Sequence, residues 1–503
     1  MERPTPAETL FIGPSRPFLD YTADILPGLG VRERVMQTTL RQWMAEQRSV
    51  RVQFQSHLWN HLLSQGELTL YSEEAESLKG SLDMVSVLER YVAERSKRIG
   101  IQCVSALKGT AGEELERFRT LSRAEAQNAL DTAFAPSAHN SPLNKRRADF
   151  INSVASMARA KISTRYVDER REAEGQAEAW CRRVWPRLNV REEYLALLSN
   201  PDALVRLPTK RISEAVAEEL AESADKASRG GLLDSDEGAI TYLDHLLNGT
   251  IRPTYRHIVV DEAQDISPIE FKLLSTASFN NSFTVMGDLA QRLRPYKGIQ
   301  RWGEVGRVLN QKETKVQQAR MSYRSNNYIT RFNNRVMRLY EKNLDAPLPL
   351  GREGHRPEYH LHSSREDMYA TIINELGRIR SFDGMREASI AILVRDRANL
   401  NAFQKFCNQR NVNEIAEIGA KDQSGADAVL ARIPDARGLE YDAVIVLGVN
   451  DTFSDTMFNQ KLLYVAITRA KHYLALHWAG RQSPILRRVY SGGVRQLDHR
   501  RGK

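Results

Sequence analysis

Two adjacent carboxylates follow an apolar run in the second half of this 503-residue chain. The β-branched run at residues 258–260 predicts a buried strand, and Asp261 and Glu262 come directly after it. Two carboxylates at the end of a buried strand are costly unless a charged group faces them. Mg²⁺ on a triphosphate is such a group, with the second carboxylate polarising a water molecule. The segment therefore predicts half of a nucleotide site.

The other half of such a site does not occur in the sequence. A triphosphate is normally cradled by a loop of the form G-x-x-x-x-G-K-[ST], whose backbone N–H groups and lysine contact the phosphates. The only Gly-Lys dipeptide here is formed by the last two residues, Gly502 and Lys503. Without that loop, we expect the affinity of this chain for a triphosphate to be low.

Composition and charge indicate a soluble protein of two to four domains at about 100–200 residues each. The net charge of +9 and the pI near 9.3 suit a polyanion-binding surface, although many basic proteins bind no nucleic acid. Cys103, Cys181 and Cys407 are far apart, so we expect neither disulfides nor a zinc site, and a reducing cytoplasm as the compartment. The N-terminus is polar, and no apolar window approaches the length of a membrane span.

The elements that must position the carboxylates alternate between strand and helix. A strand at 9–12 leads into a helix ending near 26, and further strands are predicted at 258–260 and 282–286 with a helix at 268–276 between them. Beyond residue 320 the predicted strands are 358–361, 389–394, 429–432, 443–447 and 473–477, and the predicted helices are 364–379, 397–409 and 460–471. This alternation predicts an α/β fold with mostly parallel, doubly wound sheets.

The interval from 65 to 245 differs from its surroundings. It is rich in Glu, Arg, Ala and Leu at helical spacing, and the segments 81–95, 147–162 and 216–226 are amphipathic. We therefore predict four regions: 1–64 as the first part of an α/β domain, 65–245 as a mostly helical insertion, 246–319 as the second part of that domain, and 320–503 as a second α/β domain.

Five motifs occur in a recognisable order. They are D-E-A-Q-D at 261–265, G-D-L-A-Q at 287–291, S-Y-R-S at 322–325, A-R-G-L-E-Y-D at 436–442 and L-L-Y-V-A-I-T-R-A at 462–470. In this order the chain resembles superfamily 1 helicases of the UvrD/PcrA/Rep type over residues 9–40 and 251–480. It is most similar to the HelD branch, which acts on bacterial RNA polymerase, in G-P-S-R-P-F-L-D-Y at 13–21, V-W-P-R at 184–187, Trp302 and the short interval between Ser325 and Ala436.

The resemblance implies a role for each matching residue. It implies that Asp261 holds Mg²⁺, that Glu262 is the general base and that Gln291 senses the γ-phosphate. Tyr323 would stack on adenine, Arg324 would reach the phosphates, Glu440 would contact the nucleotide, and Arg469 would be the arginine finger. Guanidinium groups suit bidentate phosphate contacts, and phosphoryl transfer depends mainly on positioning and on cationic stabilisation.

The resemblance also implies a fold, ligands and partners. The fold would be two RecA-like P-loop NTPase domains, the first truncated at its N-terminus, because the family places its glycine loop before Gly13. ATP and Mg²⁺ would be the ligands, and single-stranded DNA or RNA polymerase the partner, in the bacterial cytoplasm at the nucleoid. The missing segment would be upstream in the same gene or on a separate chain.

Three hypotheses remain open from the sequence. The chain is an incomplete part of a functional ATPase, a non-hydrolysing relative that binds DNA or polymerase, or the product of a decaying gene. Basic clusters bear on the second hypothesis: N-K-R-R at 144–147, Cys181-Arg-Arg beside Trp180 and Trp185, and the pairs at 487–488 and 500–501. Arginine and tryptophan can line a single-strand groove, but a solvated helical face with packed tryptophans is the simpler interpretation.

Overall fold

The computed structural model describes residues 5–29, 35–65, 72–117, 120–138, 140–207, 212–309, 314–351, 353–419, 426–490 and 494–499. Its strands are β1 (Thr9–Gly13), β2 (Met36–Thr39), β3 (Phe54–Gln55), β4 (Leu232–Leu233), β5 (His257–Val260), β6 (Phe283–Val285), β7 (Met321–Ser322), β8 (Leu348–Pro349), β9 (Glu358–His362), β10 (Ile390–Val394), β11 (Ile415–Glu417), β12 (Ala428–Arg432), β13 (Tyr441–Leu447), β14 (Ala470–Ala479) and β15 (Arg495–Asp498). Its helices are α1 (Arg16–Ile25), α2 (Leu40–Gln47), α3 (His57–Gln65), α4 (Glu73–Lys79), α5 (Leu82–Lys108), α6 (Thr110–Arg117), α7 (Arg123–Ala133), α8 (Leu143–Ala160), α9 (Val167–Val184), α10 (Val190–Leu198), α11 (Pro201–Arg206), α12 (Glu214–Gly230), α13 (Glu237–Asn248), α14 (Pro268–Ala277), α15 (Trp302–Val308), α16 (Asn327–Met337), α17 (Arg365–Arg380), α18 (Arg397–Gln409), α19 (Met457–Ile467) and α20 (Pro484–Val489).

The first sheet has the strand order β2-β1-β5-β6, and each neighbouring pair is parallel. Ile12 lies opposite Val260, and Val260 lies opposite Val285, so these strands end at the same edge. Leu10, Ile12 and Val260 are almost completely buried, which explains the apolar runs that predicted the strands. The parallel register brings the loops that follow β1, β5 and β6 together.

Helices α4 to α13 lie between the two parts of the first sheet in the chain order. They share one continuous apolar core with that sheet, and Trp180 and Trp185 lie fully buried in it. The buried Lys79 of α4 is 3.0 Å from carboxylates of Glu76 and of Asp236. Among the helices that the structure describes, none is both long enough and apolar enough to cross a membrane.

The second sheet is larger and has the order β11-β12-β10-β13-β14-β9-β15, again with parallel neighbours. All residues of β10 are buried, as expected for a central strand covered by helices on both faces. Two separate apolar clusters flank this sheet. Helix α3 contributes to one of them, because Trp59 packs edge-on against Phe458 at 6.0 Å between ring centroids.

The predicted helix at 460–471 is wrong at its C-terminal end. Helix α19 ends at Ile467, and Ala470–Ala479 form the long strand β14 between β13 and β9. Pairing on both sides outweighs the helical pattern that continues past Thr468. Strands β2, β11 and β15 were not predicted, because they are short and carry a weak apolar pattern.

Candidate active site between the two sheets

Asp261 and Glu262 leave the first sheet at the edge where β1 and β5 end. The backbone N–H of Asp261 donates to the carbonyl of Ile12 at 3.0 Å, which extends the pairing of the two strands by one bond. Burial raises the pKa of Asp261, and this is opposed by a hydrogen bond from the Glu262 N–H and by the charges of Arg324 and Arg469. Asp261 is therefore a partly buried carboxylate that gains from a cation beside it.

Glu262 adopts a left-handed backbone conformation with φ of 50°. Such a conformation costs a non-glycine residue about 1–3 kcal/mol, and residues in it concentrate at functional sites. The Gln264 side chain holds the turn: its amide donates to the Glu262 carboxylate, and its oxygen accepts the Asp288 N–H at 3.0 Å. The exits of β5 and β6 are thus linked through one glutamine.

Gly287 permits this close approach of the two strand exits. A Cβ at position 287 would lie 2.4 Å from the Gln264 side-chain oxygen and 3.0 Å from the Ala263 nitrogen. Any larger residue would push the G-D-L-A-Q loop away from the acidic turn. The glycine therefore sets the distance between the carboxylates and the loop that carries Gln291.

Gln291 is buried beside Asp288, and its amide donates to the Asp288 carboxylate at 3.0 Å. Burial raises the pKa of Asp288, while hydrogen bonds from Gln291 and from the Ala290 N–H oppose the shift. The other end of the Gln291 side chain points to the second sheet, where its oxygen accepts a hydrogen bond from Arg469. Gln291 is therefore a contact between the two sheets.

Arg469 stands at the turn between α19 and β14 and is only 2% exposed. Its guanidinium donates to the carbonyls of Val465 at 3.2 Å and Leu439 at 3.4 Å, and it lies 4.0 Å from the Glu262 carboxylate. Burial lowers its pKa from the ordinary arginine value, which Glu262 partly offsets. The turn thus places a nearly buried cation against the acidic edge of the first sheet.

Arg437 is a second arginine between the sheets and is not among the predicted site residues. It forms an ion pair with Asp265 and donates to the Gln291 carbonyl at 3.2 Å. Burial lowers the pKa of Arg437 to about 10, so the side chain remains charged at neutral pH. Its place in the A-R-G-L-E-Y-D motif is the signal that could have identified it.

The three other predicted nucleotide contacts lie on the second-sheet side. Arg324 and Glu440 form an ion pair of 2.5 Å, and Lys471 lies 4.0 Å from the same carboxylate. Tyr323 is 62% exposed, and in the described part of the chain it has no hydrogen bond to the acidic cluster. The structure therefore gathers Asp261, Glu262, Gln291 and Arg469, leaves Arg324 paired with Glu440, and leaves Tyr323 open to solvent.

The loop around Gly438 packs directly against the loop that follows β1. Gly438 has φ of +74°, and a Cβ there would lie 2.7 Å from Phe18 and 2.9 Å from Pro14. A glycine is needed both for the backbone conformation and for this contact. The G-P-S-R-P-F motif and the A-R-G-L-E-Y-D motif therefore meet beside the gap between the two sheets, hereafter the cleft.

Among the described residues, Trp180 and Trp185 do not line a single-strand groove. Trp180 and Trp185 are buried in the core, and the Arg147 side chain donates to the Trp185 carbonyl. Arg183 pairs with Glu114 at 2.6 Å, and Arg488 pairs with Asp455 at 2.6 Å. The packed interpretation of these clusters is correct. Residues 500–501 lie outside the described residues.

The acidic groups of one parallel α/β sheet thus face the arginines of another. Comparison with known proteins gives two family matches: the UvrD/REP helicase N-terminal domain over residues 87–298 and the UvrD-like helicase C-terminal domain over residues 428–477. Together these matches place the chain in the UvrD-like helicase superfamily.

Two individual proteins are also similar. A probable DNA helicase from Mycoplasma pneumoniae is 22% identical over 266 residues, which is 46% of each chain. This chain therefore spans about half the length of that curated relative. A solved C-terminal domain of a possible DNA helicase from Lactobacillus plantarum is 25% identical and covers 35% of this chain and 98% of its own, with a TM-score of 0.29.

Proposed function

We propose that the chain supplies the catalytic acids and arginines of a UvrD-like, ATP-dependent DNA helicase or translocase. Residues 1–64 and 246–319 would form one RecA-like domain, 320–503 a second, and 65–245 the helical insertion. The observation that carries the proposal is the reach of Arg469 across the cleft to Gln291 and Glu262. In this arrangement each domain alone has an incomplete set of groups for phosphate chemistry.

Each residue then has a role that fits its surroundings. Glu262 is the general base on the attacking water, and Gln291 detects the γ-phosphate through the amide that now contacts Asp288. Arg469 stabilises the negative charge that develops on the transferred phosphoryl group, and Arg437 supports it from the same face. Arg324, Glu440 and Tyr323 contact the nucleotide from the second domain.

Asp261 fits Mg²⁺ by the chemistry of its donor atoms. It is a carboxylate at a strand end, its pKa is raised by burial, and Glu262 beside it adds negative charge. A hard divalent cation prefers such oxygen ligands. When bound, Mg²⁺ would neutralise phosphate charge, and Asp261 would hold it.

The arginines would couple opening and closing of the cleft to the binding and release of nucleotide. Arg437 and Arg469 contact Asp265, Gln291 and Glu262 across the cleft. A phosphate group between the sheets would compete with these acceptors for the same guanidinium donors. Binding and release of nucleotide would therefore change which contacts hold the two sheets together.

The phosphate cradle is the part that this sequence does not provide, so we expect negligible hydrolysis by the chain as it is. The test joins a family-type strand–loop–helix unit bearing G-x-x-x-x-G-K-T to the N-terminus. We expect steady-state ATP hydrolysis that single-stranded DNA stimulates, at a turnover of the order of 1–10 per second. Glu262→Gln should abolish it, and Glu74→Gln, at an exposed position of α4, should not.

The net charge of +9 suits a second candidate, a helicase-derived module that binds nucleic acid or RNA polymerase without hydrolysis. Purified polymerase and a single-stranded oligonucleotide would be titrated with the chain in the absence of nucleotide, at two salt concentrations. Stoichiometric, nucleotide-independent binding, together with a fused protein that binds ATP but does not hydrolyse it, would favour this candidate. Hydrolysis by the fused protein that depends on Glu262 would reject it.

A further inference from the structure

Four histidines meet near one edge of the second sheet. His360 and His362 are two residues apart on β9 and therefore share one face of the sheet. His477 lies opposite His360 on β14, and His499 follows β15 on the other side of β9. The rings are nearly parallel: His362 and His499 are 4.7 Å apart between centroids with planes 2° apart. Parallel pairing of three strands brings together side chains that are up to 139 residues apart.

We propose that His360, His362 and His499 bind a divalent transition-metal ion of the Zn²⁺ class. These three residues offer ligand nitrogens that all lie within 4.8 Å of one another. The Nδ1 of His360 is 3.0 Å from the Nε2 of His499, close to the separation of about 3.3 Å between two nitrogens on a tetrahedral Zn²⁺. Imidazole suits Zn²⁺, Ni²⁺, Co²⁺ and Cu²⁺, and three ligands leave one position open.

The Nε2 atoms of His360 and His362 already have polar partners. The Nε2 of His360 faces the Glu358 carboxylate at 3.0 Å, and the Nε2 of His362 faces the Nδ1 of His477 at 3.1 Å. The Nε2 of His477 in turn lies 2.9 Å from the Glu375 carboxylate. With a proton on each Nε2, both β9 histidines keep a lone pair on Nδ1. A carboxylate behind a histidine orients metal ligands in this way.

An unpartnered buried atom points to the same site. His362 is 1% exposed, and its Nδ1 has no hydrogen-bond partner among the residues that the structure describes. A buried polar atom without a partner is costly, and a metal ion would relieve that cost.

A second group, formed by His360, His477 and Glu375, is a poorer metal site. The Glu375 carboxylate already accepts hydrogen bonds from Tyr473 at 2.6 Å and from Arg378 at 3.1 Å. All three members are buried, whereas His499 is exposed and gives an ion a route from solvent. The assigned ligands are therefore His360, His362 and His499. The metal would tie the segment after β15 to the sheet.

The test is metal binding by the full chain without an affinity tag, after treatment with a chelator. Co²⁺ and Zn²⁺ would be titrated while the ligand-field absorption of Co²⁺, the bound metal after gel filtration and the melting temperature are followed. We expect one ion per chain and a higher melting temperature. His499→Gln, at an exposed position, should weaken the affinity at least tenfold, as should His362→Gln, whereas the matched control His472→Gln on β14 should not.

Two results would overturn the proposal. One is a wild-type protein that binds Co²⁺ no more tightly than His499→Gln. The other is tight binding that survives in His499→Gln and is lost in Glu375→Gln. That result would place the ion in the group formed by His360, His477 and Glu375. Because His499 is exposed, its variant should fold even if His362→Gln does not. None of these measurements depends on nucleotide or DNA.

Discussion

Two buried charge clusters, one in the helical region and one between the sheets, differ in how completely their hydrogen bonds are made. Lys79 has three donors, and its Nζ lies 3.0 Å from each of three acceptors on Glu76, Asp236 and Ser223. Asp236 also accepts from the Tyr194 hydroxyl at 2.9 Å. The Lys79 cluster therefore satisfies its cation entirely within one packed unit.

The cluster between the sheets is incomplete by comparison. In the described part of the chain, the Arg437 Nε and the Asp265 Oδ1 are buried without hydrogen-bond partners, although the two side chains form an ion pair. Buried polar atoms are nearly always paired in a native structure. The comparison supports a structural role for the Lys79 cluster, and under the proposed function the unpartnered atoms of the second cluster would be available to a ligand.

The largest expected effect is on catalysis in the cleft. In the protein fused to a glycine-loop unit, Arg469→Ala should lower single-turnover hydrolysis by about 10³-fold or more, because its charge acts mainly where phosphoryl charge develops. Nucleotide affinity should fall much less. Arg488→Ala removes a surface pair with Asp455 and is the matched control. Equal losses in affinity and in rate would remove the proposed transition-state role.

The Lys79 cluster should show the largest loss of stability. Lys79→Met leaves Glu76 and Asp236 buried without their cation, so the free energy of unfolding should fall by about 3–5 kcal/mol. Urea unfolding followed by circular dichroism measures this change. Arg229→Met, which breaks an exposed pair with Asp225, should stay within about 0.5 kcal/mol. A loss for Lys79→Met as small as that of the control would contradict the assignment of this cluster to stability.

A substitution at Gly438 tests how tightly the G-P-S-R-P-F and A-R-G-L-E-Y-D loops pack against each other. Gly438→Ala should destabilise the protein by about 1–3 kcal/mol, because φ is +74° and the new Cβ would meet Phe18 at 2.7 Å. Thermal and urea unfolding would measure it. Gly377→Ala gives the opposite sign as a control, since Gly377 is an exposed helical residue with open space around it and alanine favours helix by up to about 1 kcal/mol.

The smallest effect is the pH dependence contributed by Asp288. Burial raises its pKa in the folded protein, so the ionised carboxylate weakens stability at neutral pH and protonation strengthens it. As the pH falls from neutrality toward the ordinary aspartate value of about 3.9, wild type should gain stability relative to Asp288→Asn. Unfolding of both proteins across that range measures the difference. A wild-type advantage that shrinks on acidification would mean that hydrogen bonds and Arg469 outweigh burial.

Much of the fold was predictable because its signals are local. The apolar runs of β1, β5, β10 and β13 are buried on parallel sheets and are visible in the sequence itself. The strand end at Asp261 and the helical spacing of residues 65–245 are equally local. Predictions failed where pairing with distant strands decided the outcome, as at the boundary between α19 and β14.

The sequence by itself determined which side chains are available for phosphate chemistry and in which order they occur. Tertiary structure decided which of them meet: Arg437 contacts Asp265 across 172 residues, Gln291 joins Arg469, and Trp180 and Trp185 enter the core. It also brought the histidines of β9, β14 and the segment after β15 together. The physical reason is that local patterns encode burial and periodicity, whereas the register and order of strands in a sheet are set by packing of the whole chain.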